Sequence, residues 1–200
     1  MMAPGNIGDP APAEARIGRQ KQRYSEDGKR LVAGTIPIRV RGQTSLSTPL
    51  SCSEVEVLLV SCRNGKGMSF PKGGWEDDET LESAAMRETV EEAGVRGLIE
   101  EPMIGTFSFM GGKTSPGCIA HMFVLRVAEE LEVWPESNER QRSWIPLAEA
   151  SALCRHEWMK QALEVWIKLK GWTHLIQPAI PPALSNVSEK KEGSVVEGSA

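Results

Sequence analysis

Two early runs, RLVAGTIPIRV (30–40) and EVEVLLVSC (54–62), are rich in β-branched and apolar residues over lengths that suit buried strands. The Gly, Ser, Thr and Pro-rich stretch GQTSLSTPLSCS between them predicts a loop joining hairpin strands. MSFPKGGW (68–75) reads as a short strand breaking into a Pro-Gly turn. DDETLESAAMRETVEEAG (77–94) has the acidic first turn and closing glycine of a helix, with Gly94 just past its last turn. GLIEEPMIGTFSFM (97–110) and CIAHMFVLRVAEEL (118–131) predict further strands around a GGKTSPG turn, and SWIPL (143–147) a short last one. Over 146–170, Ala150, Leu153, Met159, Ala162, Leu163, Val165, Trp166 and Leu169 recur at helical spacing and predict one terminal helix. Strands, a central helix, more strands and a terminal helix make a mixed α+β sandwich. No internal repeat interrupts it.

The central helix has an unusual face. At 100° per residue, Leu81, Ala84, Ala85, Glu88, Glu91 and Glu92 lie on one stripe, so an apolar stripe turns acidic in its last turns. Met86, Val90 and Ala93 form a second apolar strip on the opposite side, which leaves no broad solvated face. Like charges at these spacings repel, and more so when partly buried, so a cation is expected among them. A plain solvated helix face would carry the same glutamates without continuing a buried stripe. Carboxylate oxygens suit hard cations, Mg²⁺ or Mn²⁺, and the absence of Cys or His from the cluster argues against zinc. Arg87, beside Glu88, can fix a carboxylate in place.

Composition narrows the partners. The 200 residues include 40% hydrophobic and 25% charged, as in one ordinary domain able to build a core. Its net charge of -4 provides no global field for nucleic acid or an acidic membrane, so a polyanionic ligand requires local cations or a metal. Four scattered cysteines without a CxxC pair point to a reducing compartment. No apolar run is long enough for a membrane span. Residues 1–22 are expected to be a mobile leader, 23–172 the folded domain and 173–200 a polar tail. The cytosol is the expected location; Arg16, Arg19 and Lys21 supply a mitochondrial alternative, against which Asp9 and Glu14 count. A monomer is the simplest assembly.

From Gly73 the chain runs Gly, five residues, Glu79, seven residues, Arg87, Glu88, two residues, Glu91, Glu92, one residue, Gly94, Val95. This resembles a complete Nudix box, with Thr89 standing where the motif prefers an aliphatic residue. RYSEDGKRLVAGTIPI, EVLLVSC, FPKGGWEDDE, MFVLRVAEELEVWPE and the later RSW extend the resemblance over about 23–170, toward the diphosphoinositol polyphosphate and diadenosine polyphosphate phosphohydrolases of plant type. The resemblance implies the Nudix fold, a mixed β-sheet sandwiched between helices, and a Mg²⁺-dependent pyrophosphohydrolase, with Mn²⁺ as substitute. It makes Glu88 and Glu92 metal ligands, with a Gly73 or Gly74 carbonyl completing the shell, and Glu91 the base that activates water. A base beside a divalent cation has its pKa pulled down, so activity is expected to favour alkaline pH.

Further cations are required for a polyphosphate. The family uses basic residues of the first strand, which match Arg23, Lys29 and Arg30; Lys72, Lys113, Arg140 and Arg142 are further candidates, with Gly74 lining the site. Trp75 is the aromatic side chain expected on the substrate. His121 and His156 read as ordinary strand and helix residues, and Trp158 and Trp166 as core. Alternative functions are hydrolysis of ADP-ribose or NADH-type substrates and a non-catalytic polyphosphate-binding module.

Overall fold

The computed structural model describes residues 14–42, 46, 50–63, 65, 67–110 and 116–176. In chain order they form β1 (Arg30–Val40), β2 (Val55–Ser61), β3 (Met68–Ser69), β4 (Lys72–Gly74), α1 (Leu81–Ala93), β5 (Val95–Phe109), β6 (Cys118–Glu130), β7 (Arg142–Pro146), α2 (Leu147–Leu153) and α3 (Glu157–Leu169), then a 3-10 turn at Thr173–Leu175. The strands make one mixed sheet in the order β3-β2-β1-β6-β5, with β4 paired to β1 and β7 to β2. β1 is parallel to β6, setting Gly34 beside Met122, and antiparallel to β2 and β4, setting Ile38 beside Val57 and Ala33 beside Gly73.

Side chains alternate along β1, so Val32, Ile36 and Ile38 face one way and Ala33 and Thr35 the other. The first face joins Val57, Leu59, Met122 and Val124 beneath Ala150 of α2 and Met159, Leu163 and Trp166 of α3. The second face packs on α1, where Ala33 meets Ala84, Ala85 and Phe123. Helices therefore cover both faces of the sheet, as the sandwich expectation requires. Burial from both sides explains why β1 and β2 read as unbroken apolar runs rather than alternating ones.

Both ends of α1 are fixed by local chemistry. The Thr80 side chain accepts the Ser83 amide at 3.2 Å, and Gly94 stops the helix with φ 62°, donating its amide to the Val90 carbonyl at 3.0 Å. Thr89, the residue that departs from the aliphatic preference, is wholly buried and donates its hydroxyl to the Ala85 carbonyl at 2.7 Å. Its oxygen lies 2.7 Å from the hydroxyl of equally buried Thr35 on β1, which must therefore donate to it. Thr89→Val strands that donor and is expected to cost about 1–3 kcal/mol in urea unfolding, whereas the Thr35→Val, Thr89→Val double variant should recover most of the loss. A double variant no more stable than Thr89→Val would contradict the pairing.

The structure differs from the sequence expectation at three places. Residues 146–170 are two helices, because Cys154 is extended (φ -63°, ψ 118°) and its backbone bridges Met68 of β3. With the helix broken, Leu153 is exposed, and Leu169 is exposed at the far end. Ordered contacts begin before residue 23: Arg16 pairs with Glu76 (2.6 Å) and Asp78 (3.0 Å), and Lys21 with Asp78 (2.7 Å). Contacts also pass residue 172, where Leu175 and Ile176 pack on the core, while residues 177–200 lie outside the described residues.

Candidate active site

The sheet carries the β4 glycines against the middle of β1, directly under the last turns of α1. Gly73 has to lack a side chain, since a Cβ there would fall on the Glu88 carboxylate. Gly74 offers its carbonyl to Arg87 at 2.8 Å. Arg87 is the hub of this junction. Its fork donates to Glu79 Oε2 from Nε (2.9 Å) and to Glu79 Oε1 from Nη2 (2.7 Å), and its Nη1 reaches Glu88 Oε1 (2.9 Å) and Glu91 Oε1 (3.3 Å). The bond to Glu88 expected from adjacency is present, but the stronger, two-pronged partner is Glu79.

Glu92 is held separately. Its Oε2 accepts the Lys72 amide at 3.0 Å, and its Oε1 accepts from Arg140. Arg140 also donates to the buried Glu136 and, at 3.0 Å, to the Ser61 carbonyl. Glu136 pairs with Arg63 as well, and its amide donates to the Glu91 carbonyl at 3.1 Å, docking the β6–β7 connection onto the end of α1. Five carboxylates, Glu79, Glu88, Glu91, Glu92 and Glu136, thus face two enclosed guanidiniums, Arg87 and Arg140.

Burial first, and then this excess of negative charge, displaces the α1 glutamates upward from the ordinary carboxylate range. Burial, against the attraction of Arg87 and with repulsion from Glu92 and Glu91, pushes Glu88 up to about 8. Glu91 and Glu92 are raised too, mainly by burial. Among the described residues no three side chains converge as ligands of one ion, because Glu88 and Glu91 are turned onto Arg87 and Glu92 onto Arg140. The donor set nevertheless fits a divalent cation: hard oxygens, enclosed, and short of positive charge.

A pH dependence of stability follows from Glu88. The folded state keeps its proton up to about 8 while the unfolded chain releases it near 4.5, so between these values folding takes up a proton and stability falls as pH rises. His121 and His156, lowered by burial, act in the opposite sense, so the comparison is between wild type and Glu88→Gln. Without metal, wild type should lose thermal stability relative to Glu88→Gln between pH 5 and 8, and Mg²⁺ should stabilise wild type more at pH 8. Parallel pH profiles for the two proteins would contradict the assignment.

The cations expected on the substrate meet different fates. Arg142 instead caps α1: it donates to the carbonyls of Ala93 (3.1 Å), Gly94 (3.0 Å) and Leu131 (2.8 Å), where the helix dipole places negative potential. Arg23 donates to the carbonyls of Glu76 (3.0 Å) and Asp77 (2.9 Å) and lies 4.7 Å from the centre of the Trp75 ring. Trp75 is correspondingly a packing residue, with its Nε1 on the Glu79 carbonyl at 3.1 Å and His121 edge-on at 5.8 Å. Arg140 is occupied by glutamates, and Lys29 pairs with Asp27 at 2.6 Å. Arg30 donates to the side chain of Gln22 at 2.6 Å, and Lys72 Nζ lies 3.3 Å from the Ser69 hydroxyl, neither with a carboxylate partner among the described residues. Lys113 lies outside the described residues.

Sequence reasoning passed over Glu79 and Glu136 as site residues. Glu79 was visible as a fixed spacing eight residues before Arg87, whereas nothing periodic marks Glu136, which reaches the site through a connection. Trp158 and Trp166 are core, as expected. Of the cysteines, Cys118 and Cys154 are buried, the latter thiol pushed up to about 12 by burial, while Cys52 and Cys62 are half-buried.

Comparison with known proteins agrees with this fold. A NUDIX domain matches residues 48–166. Nudix hydrolase 4 of Arabidopsis thaliana is 44% identical over 169 residues, covering 84% of this chain and 80% of its own. Nudix hydrolase 16, mitochondrial, of the same plant is 48% identical over 155 residues, covering 74% of this chain and 85% of its own. The C. elegans Ap4A hydrolase in a binary complex superposes with a TM-score of 0.53 at 22% identity, over 70% of this chain and 97% of that one. Among the described residues no helix is long and apolar enough to cross a membrane.

Proposed function

This chain belongs to the Nudix hydrolase family, and from that premise we propose that it is a Mg²⁺-dependent pyrophosphohydrolase of substrates carrying a dense run of phosphates. Diadenosine polyphosphates, such as the hexaphosphate, and diphosphoinositol polyphosphates meet that description. The observation carrying the proposal is the set of five carboxylates against two enclosed guanidiniums at the end of α1. Such a site repels a polyanion unless a divalent cation is present.

Glu88 and Glu92 would hold the cation, with the Gly73 carbonyl beside them. Mg²⁺, when bound there, supplies neutralisation of phosphate charge and a water acidic enough to attack. Glu91 would be the residue that accepts a proton from the attacking water. Arg87 is a positioning residue: by fixing Glu79, Glu88 and Glu91 it sets the direction in which the base points. Arg30 and Lys72 remain as phosphate contacts, since neither is tied to a carboxylate among the described residues. The cytosol suits a chain with free cysteines, and the likeness to the mitochondrial Nudix hydrolase 16 of Arabidopsis thaliana keeps the mitochondrion as an alternative.

A substrate panel with Mg²⁺ tests the reading. Diadenosine hexaphosphate and a diphosphoinositol polyphosphate should be hydrolysed with higher kcat/KM than ADP-ribose. Preference for ADP-ribose would make the enzyme a nucleoside diphosphate-sugar hydrolase instead, and binding without hydrolysis of any of them would make it a binding module.

A further inference from the structure

Most of the cations expected on a polyphosphate are spent inside the protein, which leaves the question of what holds phosphates remote from the cleaved bond. Among the described residues, Lys72, Arg155 and His156 have no carboxylate partner, and the fold gathers them at one place. The bridge between Met68 and Cys154 lays β3 beside the break between α2 and α3. The Arg155 stem crosses Gly67 so closely that a Cβ there would sit 3.2 Å from Arg155 Cδ. His156, next in the chain, is the N-cap of α3, yet its side chain makes no capping bond. Its pKa is lowered by burial and then by the charges of Arg155 and Lys72, so both cations stand near His156. Glu157, the nearest acid in sequence, is paired with Lys160 at 3.3 Å.

The base of this cluster is packed on aromatic rings. Lys72 Nζ lies 3.3 Å from the hydroxyl of buried Ser69 and 5.9 Å from the centre of the Phe109 ring. Phe109 stacks on Trp158 of α3 at 5.1 Å and 20°, and Phe70 meets the same indole edge-on at 6.3 Å. Lys72 also connects the cluster to the carboxylates, because its main-chain amide donates to Glu92 at 3.0 Å. Cations brought together without a counter-charge repel one another, and an anion that bridges them relieves the repulsion.

We propose that Lys72, Arg155, His156 and the Ser69 hydroxyl form a second anion subsite, contiguous with the Glu88–Glu92 cluster, that binds the phosphates of the substrate distant from the scissile bond. The proposal rests on the polyphosphate reading above and extends it: the subsite makes affinity depend on the number of phosphates. A substrate with two phosphates stays within the Glu88–Glu92 cluster and its nearest cations, whereas a longer chain extends past Lys72 to the two residues at the α2–α3 break. Arg155 and His156 are exposed on a connection between helices, so their replacement leaves the core intact.

The test is titration calorimetry with inorganic tripolyphosphate and with pyrophosphate at saturating Mg²⁺, on wild type and on the Arg155→Ala, His156→Gln double variant. The double variant should weaken tripolyphosphate about tenfold more than pyrophosphate, the size expected for losing charge-assisted contacts, and Arg155→Lys should retain part of the difference. In turnover, the ratio of KM for diadenosine hexaphosphate to KM for ADP-ribose should rise by a similar factor in the double variant. Equal affinity of wild type and double variant for tripolyphosphate, or no binding of it by wild type, overturns the subsite. Tripolyphosphate binding that depends on Arg155 and His156 in an enzyme that prefers ADP-ribose would uphold the subsite while refuting the polyphosphate reading.

Discussion

Alanine in place of Arg87 is expected to destabilise the metal-free protein by about 3–5 kcal/mol, the cost of removing one partner from a buried ion pair. The expectation applies because this is not a surface contact: the side chains of Arg87, Glu79, Glu88 and Glu91 are 10%, 7%, 11% and 3% exposed. Removing the guanidinium leaves three enclosed carboxylates without their common cation and the Gly74 carbonyl without its donor. Lysine should rescue little, because a single ammonium cannot reproduce the two parallel bonds to Glu79. Mg²⁺ should recover part of the loss by replacing the missing positive charge. Denaturant unfolding measures it, and a shift below about 1 kcal/mol would show that the hub is not what holds the site.

Glu91→Gln is expected to lower kcat by about 10²–10⁴-fold, the usual contribution of a positioned general base. The side chain is 3% exposed and its Oε1 is fixed by Arg87 at 3.3 Å, so the isosteric amide keeps the shape and most of the packing. What it loses is the capacity to take a proton. Affinity for Mg²⁺ should change little, in contrast to Glu92→Gln, where Mg²⁺ binding should weaken and the concentration needed for activity should rise. Single-turnover hydrolysis of diadenosine hexaphosphate at saturating Mg²⁺ separates these effects. Glu91→Gln at near wild-type rate would move the base to another residue, Glu79 and Glu136 being the enclosed acids that reach the site from outside α1.

Much of this arrangement was legible in the residues themselves. The stripe of α1 foretold that Glu88, Glu91 and Glu92 turn inward, because 100° per residue and the alanines before them leave those positions no other direction. β1 and β2 were legible because strands buried on both faces are apolar throughout. The break between α2 and α3 was not: the apolar spacing runs straight through Cys154, and what interrupts the helix is its tertiary bridge to Met68. The cations were legible as charges but not as partners. Arg142 and Arg23 end on backbone carbonyls, and Arg140 on glutamates, because each lies near a helix end, a turn or an acid that only folding brings to it. Arg155 and His156 gain significance by the same route, through the strand that passes beside them.

The acidic end of α1 is expected to hold a divalent cation. Mn²⁺ binding, followed by its paramagnetic resonance signal, tests it directly on wild type and on the Glu88→Gln, Glu92→Gln double variant. Wild type should bind the ion and release it to competing Mg²⁺, and the double variant should leave it free in solution. Mn²⁺ bound equally by both proteins would place the metal, and with it the chemistry, somewhere other than on these glutamates.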